Sequence, residues 1–216
     1  VIANRTGRGV VSDRHYLSMT HLAGHHLWPD ADVVLAIGTR LQQPRMNWGT
    51  DDKLKIIHVD IDPVEIKRTD TPDVAMVGDA QDIVPALLEA VGKIAPARAS
   101  RKDELLAVQA GVHDMLLDRL GPQMSWIKVI REGLDDDGIF VDELTQVGYV
   151  SRIAMPIYQP RTFLTSAYQG TLGSGLATAI GAKIANPERQ VLSINGDGGF
   201  MYNVQELATA VKYNVA

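Results

Sequence analysis

What most constrains this chain is a series of short, continuously apolar stretches, each closed by a turn residue and followed by a helix signal. "ADVVLAIGTRL" (31–41), "LKIIHVDID" (54–62) and "VAMVG" (74–78) succeed one another in this way. "GIFVDEL" (138–144), "RTFLTS" (161–166) and "QVLSIN" (190–195) repeat the rhythm further on. A strand covered on both faces shows an unbroken apolar run, because neither side can be polar. Strands of that kind alternating with helices imply parallel sheets. The expectation is an α/β protein.

Local signals divide it. Asp62 is placed to cap a helix with Pro63 at its first position, where the missing N–H costs nothing. Asp79 to Asp82 opens the helix "DIVPALLEAVGKI", with Pro85 expected in its first turn. "APARASRKDE" (95–104) carries neither period and reads as a linker. "LLAVQAGVHDMLLDRL" (105–120) is an amphipathic helix that should end near Gly121-Pro122, before a further helix "SWIKVIREGL" (125–134). "LGSGLATAIGAKIAN" (172–186) is a small-residue helix, and "NVQELATAVKYN" (203–214) starts with a capping box, Asn203 and Glu206. The chain is therefore expected to hold two incomplete parallel-sheet, Rossmann-like domains. They are 1–94, lacking its start, and 122–216, truncated at its end, with 95–121 as linker and connecting helix.

Composition removes several function classes. Net charge is −5 with acids and bases interleaved, so no broad cationic surface invites nucleic acid or anionic lipid. There is no cysteine, hence no disulfide, thiolate metal site or cysteine nucleophile, which fits a cytoplasmic protein. The apolar runs are of strand length, short of the ~20 residues a membrane span needs. "VIANRTGRGV" has no signal-peptide layout and no initiator methionine, so the chain reads as already in progress. His21 and His25 stand one helical turn apart, the spacing of a metal pair, but no glutamate follows His21 and Gly24 weakens the helix. Trp28, Trp48 and Trp126 read as core or interface anchors.

The chemistry concentrates at Gly196-Asp197-Gly198-Gly199, directly after the strand "QVLSIN". In parallel α/β sheets, ligands collect beyond the carboxyl ends of strands. Glycines there allow close backbone approach, and free N–H groups suit phosphate. A lone carboxylate would repel that phosphate by several kcal/mol at low effective dielectric. A divalent cation between them reverses the sign, and Mg²⁺ is commonly held by one or two carboxylates plus phosphate oxygens. A bare strand-to-helix turn, with Asp197 as a cap, is the other reading. "YQGTLGSGLATAIGAKIANP" (168–187) places Gly170, Gly173 and Gly175 on a second turn after a strand. The two glycine-lined strand ends are expected side by side, forming one cleft.

Here the residues carry a resemblance. "TSAYQGTLGSGLATAIGAKIANP" and "INGDGGFMYNVQELATAV" resemble the diphosphate-binding domain of thiamine-diphosphate enzymes, and most of all the acetolactate synthase (acetohydroxyacid synthase) family. "ADVVLAIGTRL" and "IIHVDIDPVEI" resemble the central domain of the same enzymes. The resemblance implies thiamine diphosphate and Mg²⁺ as cofactors and a small 2-keto acid as substrate. It implies Asp197 as metal ligand, with Gly196, Gly198 and Gly199 along the diphosphate. It gives the carbonyl of Gly170 to the cofactor's 4′-amino group, and Leu172 the part of the apolar residue that props the cofactor bent. "TQVGYV" (145–150) matches a diphosphate-contacting loop, which brings in Gly148 and Tyr149, although family members tend to have Gln-His at Tyr149-Val150.

Other implications are negative. The family's Asp-Asp-Arg signature for FAD is missing after Gly38-Thr39-Arg40, which counts against FAD. Arg40 and Arg45 would then be either phosphate contacts or solvated surface arginines, and Asp60 and Asp62 either ribose acceptors or caps. The closing asparagine of the metal motif is expected beyond the end of the chain, Asn214 coming too early. The glutamate that faces the pyrimidine is expected on another domain, within a homodimer or homotetramer. The chain alone is thus expected to be inactive. A decarboxylase, an aldehyde lyase or a glyoxylate ligase of the family remain open, as does a non-catalytic nucleotide-binding module.

Overall fold

The computed structural model describes residues 1–96, 98–166 and 169–215. In chain order its elements are α1 (His21–Leu27), β1 (Val33–Ile37), β2 (Lys55–Asp60), α2 (Pro63–Ile66), β3 (Val74–Val77) and α3 (Ala80–Ile94). There follow α4 (Lys102–Gly133), β4 (Ile139–Val141), α5 (Gln146–Ala154), β5 (Phe163–Leu164), α6 (Ser174–Ala185), β6 (Val191–Ser193), α7 (Asp197–Tyr202) and α8 (Leu207–Lys212). The strands form two three-stranded parallel sheets, as the alternation implied. Two compact units result, one of residues 25–100, the other of residues 1–24 with 101–216.

In the first unit the sheet order is β1-β2-β3, with Val33 opposite Lys55 and Ile57 opposite Val74. Trp28, Ala36, Leu41, Leu54 and Ile56 make its core, with Trp48 edge-on to Trp28 at 5.2 Å. The Trp28 indole donates to the Gly49 carbonyl at 2.7 Å, so the buried ring keeps its hydrogen bond. The expectation of a doubly covered β1 is corrected: Val33 and Leu35 are 51% and 43% exposed. Only the alternate positions, around Ala36, meet the tryptophan cluster. α3 starts at Asp79, whose carboxylate accepts from Gln81 N at 2.8 Å. Pro85 is the sixth helical residue, one turn later than expected, and its Val84–Leu88–Val91 stripe is exposed.

In the second unit the order is β5-β4-β6. β4 is buried along its whole length, and Phe140 stacks on Phe163 across the strands at 5.9 Å, a cross-strand aromatic pair. Leu105, Val112, Leu116, Met124 and Ile127 form the buried stripe of α4. The expected break near Gly121-Pro122 is present as a kink: Leu120 has φ −132° and ψ 33°, after which the helix resumes. A proline clashes with the carbonyl four residues back, which accounts for the bend at this point.

Residues 1–24 pack here. Buried Arg8 donates to the Ser151 carbonyl at 3.0 Å and to Asp13 at 2.8 Å, and Asp13 also accepts from Ile157 N at 2.7 Å. The first residues thus group with the carboxyl-terminal sheet, whereas the sequence joined them to β1–β3. No described helix is long and apolar enough to cross a membrane.

Candidate functional site

The carboxyl end of β4 is where the glycine segments meet. Thr145 caps α5, its hydroxyl accepting from Gly148 N at 2.7 Å. "TQVGYV" is therefore the start of a helix rather than a loop. Gly148 is buried, and a methyl group on it would overlap the Glu143 carbonyl. Tyr149 projects outward, with the Arg152 guanidinium 5.2 Å from its ring. Arg152 in turn pairs with Asp142 at 2.5 Å, both side chains buried.

From β5 the chain reaches the turn at Gly170, passing Ala167 and Tyr168, which lie outside the described residues. Gly170 (φ +62°) and Gly173 (φ +84°) adopt left-handed conformations that favour glycine. Among the described residues nothing lies within 4 Å of where a Cβ on Gly170 would stand. Leu172 is 47% exposed, so it is no core leucine; an apolar side chain is held toward solvent beside the glycine turn.

After β6 the helix begins at once: Gly196 is the N-cap of α7 and Asp197 its first residue. The sequence placed the helix start several residues later. Asp197 is exposed, and its Oδ1 accepts from Gly198 N at 2.8 Å. Gly198 is exposed with open space at its α-carbon, while Gly199 is buried. The expected capping box does not form. The Asn203 amide instead donates to the Gly173 carbonyl at 2.5 Å, and a short 3₁₀ turn, Val204–Glu206, precedes α8.

The two glycine segments do come together, but not as neighbouring strand ends. β4 stands between β5 and β6, and α6 carries the chain across it. A Cβ on Gly173 would sit 2.8 Å from Tyr202 Cβ and 3.5 Å from the Gly199 carbonyl, so the Gly170–Gly173 turn rests on α7. The residue at the centre is one that sequence reasoning missed. Glu143, 0% exposed, accepts from Gly173 N at 2.6 Å and Gly175 N at 3.1 Å. Its only trace in the sequence is a pair of adjacent acids, Asp142-Glu143, closing an otherwise apolar run.

These residues fit a phosphate-bearing ligand with a cation. There is an exposed carboxylate, two unobstructed glycine backbones, and a buried Asn195 Oδ1 without a partner. Among the described residues no three His, Cys, Asp or Glu gather as a self-sufficient metal cage, His21 and His25 included. In the other unit Arg40 pairs with Glu65 at 2.9 Å, whereas Nε and Nη2 of Arg45 are buried without partners. Arg45 is therefore not a solvated arginine. Asp62 caps α2, accepting from Val64 N at 2.8 Å, and Asp60 accepts from Asp62 N at 2.9 Å. Trp126 is exposed and anchors no core.

Comparison with known proteins covers both units. Residues 145–216 match the family described as thiamine pyrophosphate enzyme, C-terminal TPP binding domain, and residues 1–87 match the thiamine pyrophosphate enzyme central domain. A probable acetolactate synthase large subunit of Methanococcus aeolicus is 31% identical, over 97% of this chain and 39% of the relative. The acetolactate synthase isozyme 1 large subunit of Escherichia coli is 32% identical, over 94% and 37%. A probable 2-ketoarginine decarboxylase of Pseudomonas aeruginosa is 34% identical, over 87% and 34%. The chain spans less than two-fifths of the length of these relatives.

Proposed function

Because the chain belongs to the thiamine pyrophosphate enzyme family, we propose that it is the cofactor-holding portion of an enzyme that decarboxylates a small 2-keto acid, of the acetolactate synthase kind. The observation that carries this is the meeting of two glycine turns, Gly170–Gly173 and Gly196–Gly199, at the end of β4, with the Asp197 carboxylate exposed beside them. We take 1–94 as central domain, 95–121 as connecting segment and 122–216 as diphosphate-binding domain, a division supported by the family matches at 1–87 and 145–216.

Bound there, thiamine diphosphate supplies an electron sink for the bond broken when a 2-keto acid loses carbon dioxide. The chain's part is to hold and shape. Asp197 is the carboxylate ligand of a Mg²⁺ shared with phosphate oxygens. Gly196, Gly198 and Gly199 let the α7 backbone lie close to those phosphates, since no Cβ intervenes. Gly170 would offer its carbonyl to the cofactor's amino group, and Leu172 would offer its rings an apolar surface. Tyr149 borders the diphosphate with its exposed ring, and Gly148 lets α5 start tight against Glu143. One relative is named as a probable 2-ketoarginine decarboxylase, which favours decarboxylation as the step. We do not assign FAD: Arg45 has unpaired nitrogens, but the Asp-Asp-Arg turn is missing. The working enzyme is a homodimer or homotetramer of the whole protein.

Calorimetric titration of the intact protein with thiamine diphosphate, with and without Mg²⁺, tests the reading. Binding should require the metal, and Asp197→Ala should abolish it. An unchanged titration in that variant overturns the metal assignment. Binding of NAD or FAD with no thiamine diphosphate binding supports a non-catalytic nucleotide module instead.

A further inference from the structure

Glu143 is a fully buried carboxyl side chain, and among the described residues no ion pair reaches it. A carboxylate taken out of water costs several kcal/mol unless hydrogen bonds replace those it lost. Here backbone N–H groups replace them: Oε1 accepts from Gly173 N at 2.6 Å and Oε2 from Gly175 N at 3.1 Å. Gly175 belongs to the first turn of the twelve-residue α6 and Gly173 is its N-cap, at the helix end where orphan N–H groups and the dipole favour an anion. Gly173 itself offers no side-chain cap, so a residue thirty positions earlier in the chain takes that role.

Two further glycines are shaped around the same carboxylate. A Cβ on Gly199 would overlap Glu143 Oε1, and one on Gly175 would stand 2.7 Å from Oε2. The Asn195 amide lies against Gly175 as well, its Oδ1 unpartnered and its Nδ2 donating to Ser193 Oγ at 2.9 Å. Turned by 180°, the same amide would still receive the Ser193 hydroxyl, on Oδ1, while presenting Nδ2 on the Gly175 side. The carboxylate therefore touches both glycine segments at once, one by hydrogen bonds and the other by van der Waals contact.

We propose that Glu143 is a positioning residue of the cofactor site, a buried group that holds the Gly170–Gly173 turn and the Gly196–Gly199 turn in mutual register. It touches no cofactor. It acts through Gly173, Gly175 and Gly199, and so fixes where Gly170, Leu172 and Asp197 stand. The inference rests on the reading of those turns as the seat of thiamine diphosphate, but the clamp itself is a property of the chain alone.

Amide hydrogen exchange and cofactor titration on the intact protein test it together. In the unaltered protein, Gly173 and Gly175 should exchange at least tenfold more slowly than Gly170, whose turn is open. Glu143→Gln keeps the shape but sets an NH₂ against a backbone N–H. It should speed exchange at Gly173 and Gly175 at least tenfold and weaken Mg²⁺-dependent thiamine diphosphate binding at least tenfold, with β4 and β6 amides unmoved. Gly199→Ala, which crowds the carboxylate, should weaken binding similarly. In a Glu143→Ala background the same methyl should cost clearly less than it does in the unaltered protein, because the oxygen it strikes is gone. A purely structural role gives additive losses instead. Fast exchange at Gly173 and Gly175 in the unaltered protein overturns the proposal whatever the variants do, as does a Glu143→Gln variant with normal exchange and titration. Absence of thiamine diphosphate binding by the unaltered protein overturns the functional reading, and the exchange data alone then decide the clamp.

Discussion

Two strands of this molecule, β2 and β4, carry nearly the same text and end in very different places. Each is an apolar run closed by acids, Asp60 and Asp62 in one case, Asp142 and Glu143 in the other. After β2 the acids are spent locally: Asp60 accepts from Asp62 N, and Asp62 caps α2 two residues on. After β4 both acids are buried. Asp142 pairs with Arg152 of α5, and Glu143 reaches the amides of Gly173 and Gly175. A cap that faces water can be made by sequence neighbours and replaced cheaply. A buried carboxylate must collect donors from wherever the fold brings them, and so it ties distant segments together. The sheets differ in the same sense, for β4 is covered throughout while β1 shows Val33 and Leu35 to solvent.

The comparison is broken most severely at Asp142. Arg152 Nε stands 2.5 Å from Asp142 Oδ2, with Asp142 Oδ1 and Arg152 Nη2 buried and unpartnered. Removing one member strands a buried charge, which costs about 3–5 kcal/mol. Denaturant unfolding of Asp142→Ala or Arg152→Ala should show a loss of that order. An apolar pair of similar volume, Asp142→Leu with Arg152→Met, should recover most of it, because neither charge is then left behind. A single variant within about 0.5 kcal/mol of the parent, the range of an ordinary surface change, would contradict the contrast drawn between the two strands.

The same contrast marks what was legible in the sequence. The strands and the caps at Asp62 and Asp79 depend on residues a few positions apart, and parallel pairing follows from the alternation of strand and helix, so local pattern finds them. The glycine turns were legible because glycine is chosen for backbone freedom that no partner has to explain. Glu143 was not, since its partners lie thirty and more residues on and nothing in "GIFVDEL" announces them. Asn203 shows the converse error. Its spacing to Glu206 is that of a capping box, yet the side chain serves Gly173 from a different segment. Strand order was misjudged for the same reason: the two glycine-rich ends are joined by one helix, but that helix passes over β4. Burial misled at β1, because an apolar run records what a strand tolerates and not which element covers it.

At β2 the effects should be smaller. Asp62→Ala removes one exposed helix cap, for which about 1 kcal/mol is typical. Unfolding of residues 25–100, followed by the fluorescence of Trp28 and Trp48, should shift by that amount while the β4 sheet is unaffected. Asp62→Asn, which can still accept from Val64 N, should restore it. A loss as large as that at Asp142 would erase the distinction between local and long-range acids.

The smallest expected effect lies at the other end of the same sheet. Asp73, just before β3, accepts from Ile56 N at 2.9 Å and from Lys55 Nζ at 3.0 Å, so it fastens the start of β2 to β3. The backbone hydrogen bond, then the lysine, hold its carboxyl below the ordinary value of 3.8. A carboxyl depressed in the folded state stabilises above its unfolded value, and that contribution is lost as pH falls through the folded one. Asp73→Asn should therefore lower stability slightly at neutral pH and flatten the acid limb of the stability curve, the two proteins converging in strong acid. Because the group is exposed and screened, the difference should shrink further in high salt. A gap between the two proteins that widens on acidification would show that Asp73 is not ionised in this role, and that β2 is fastened by something other than the carboxylate at its edge.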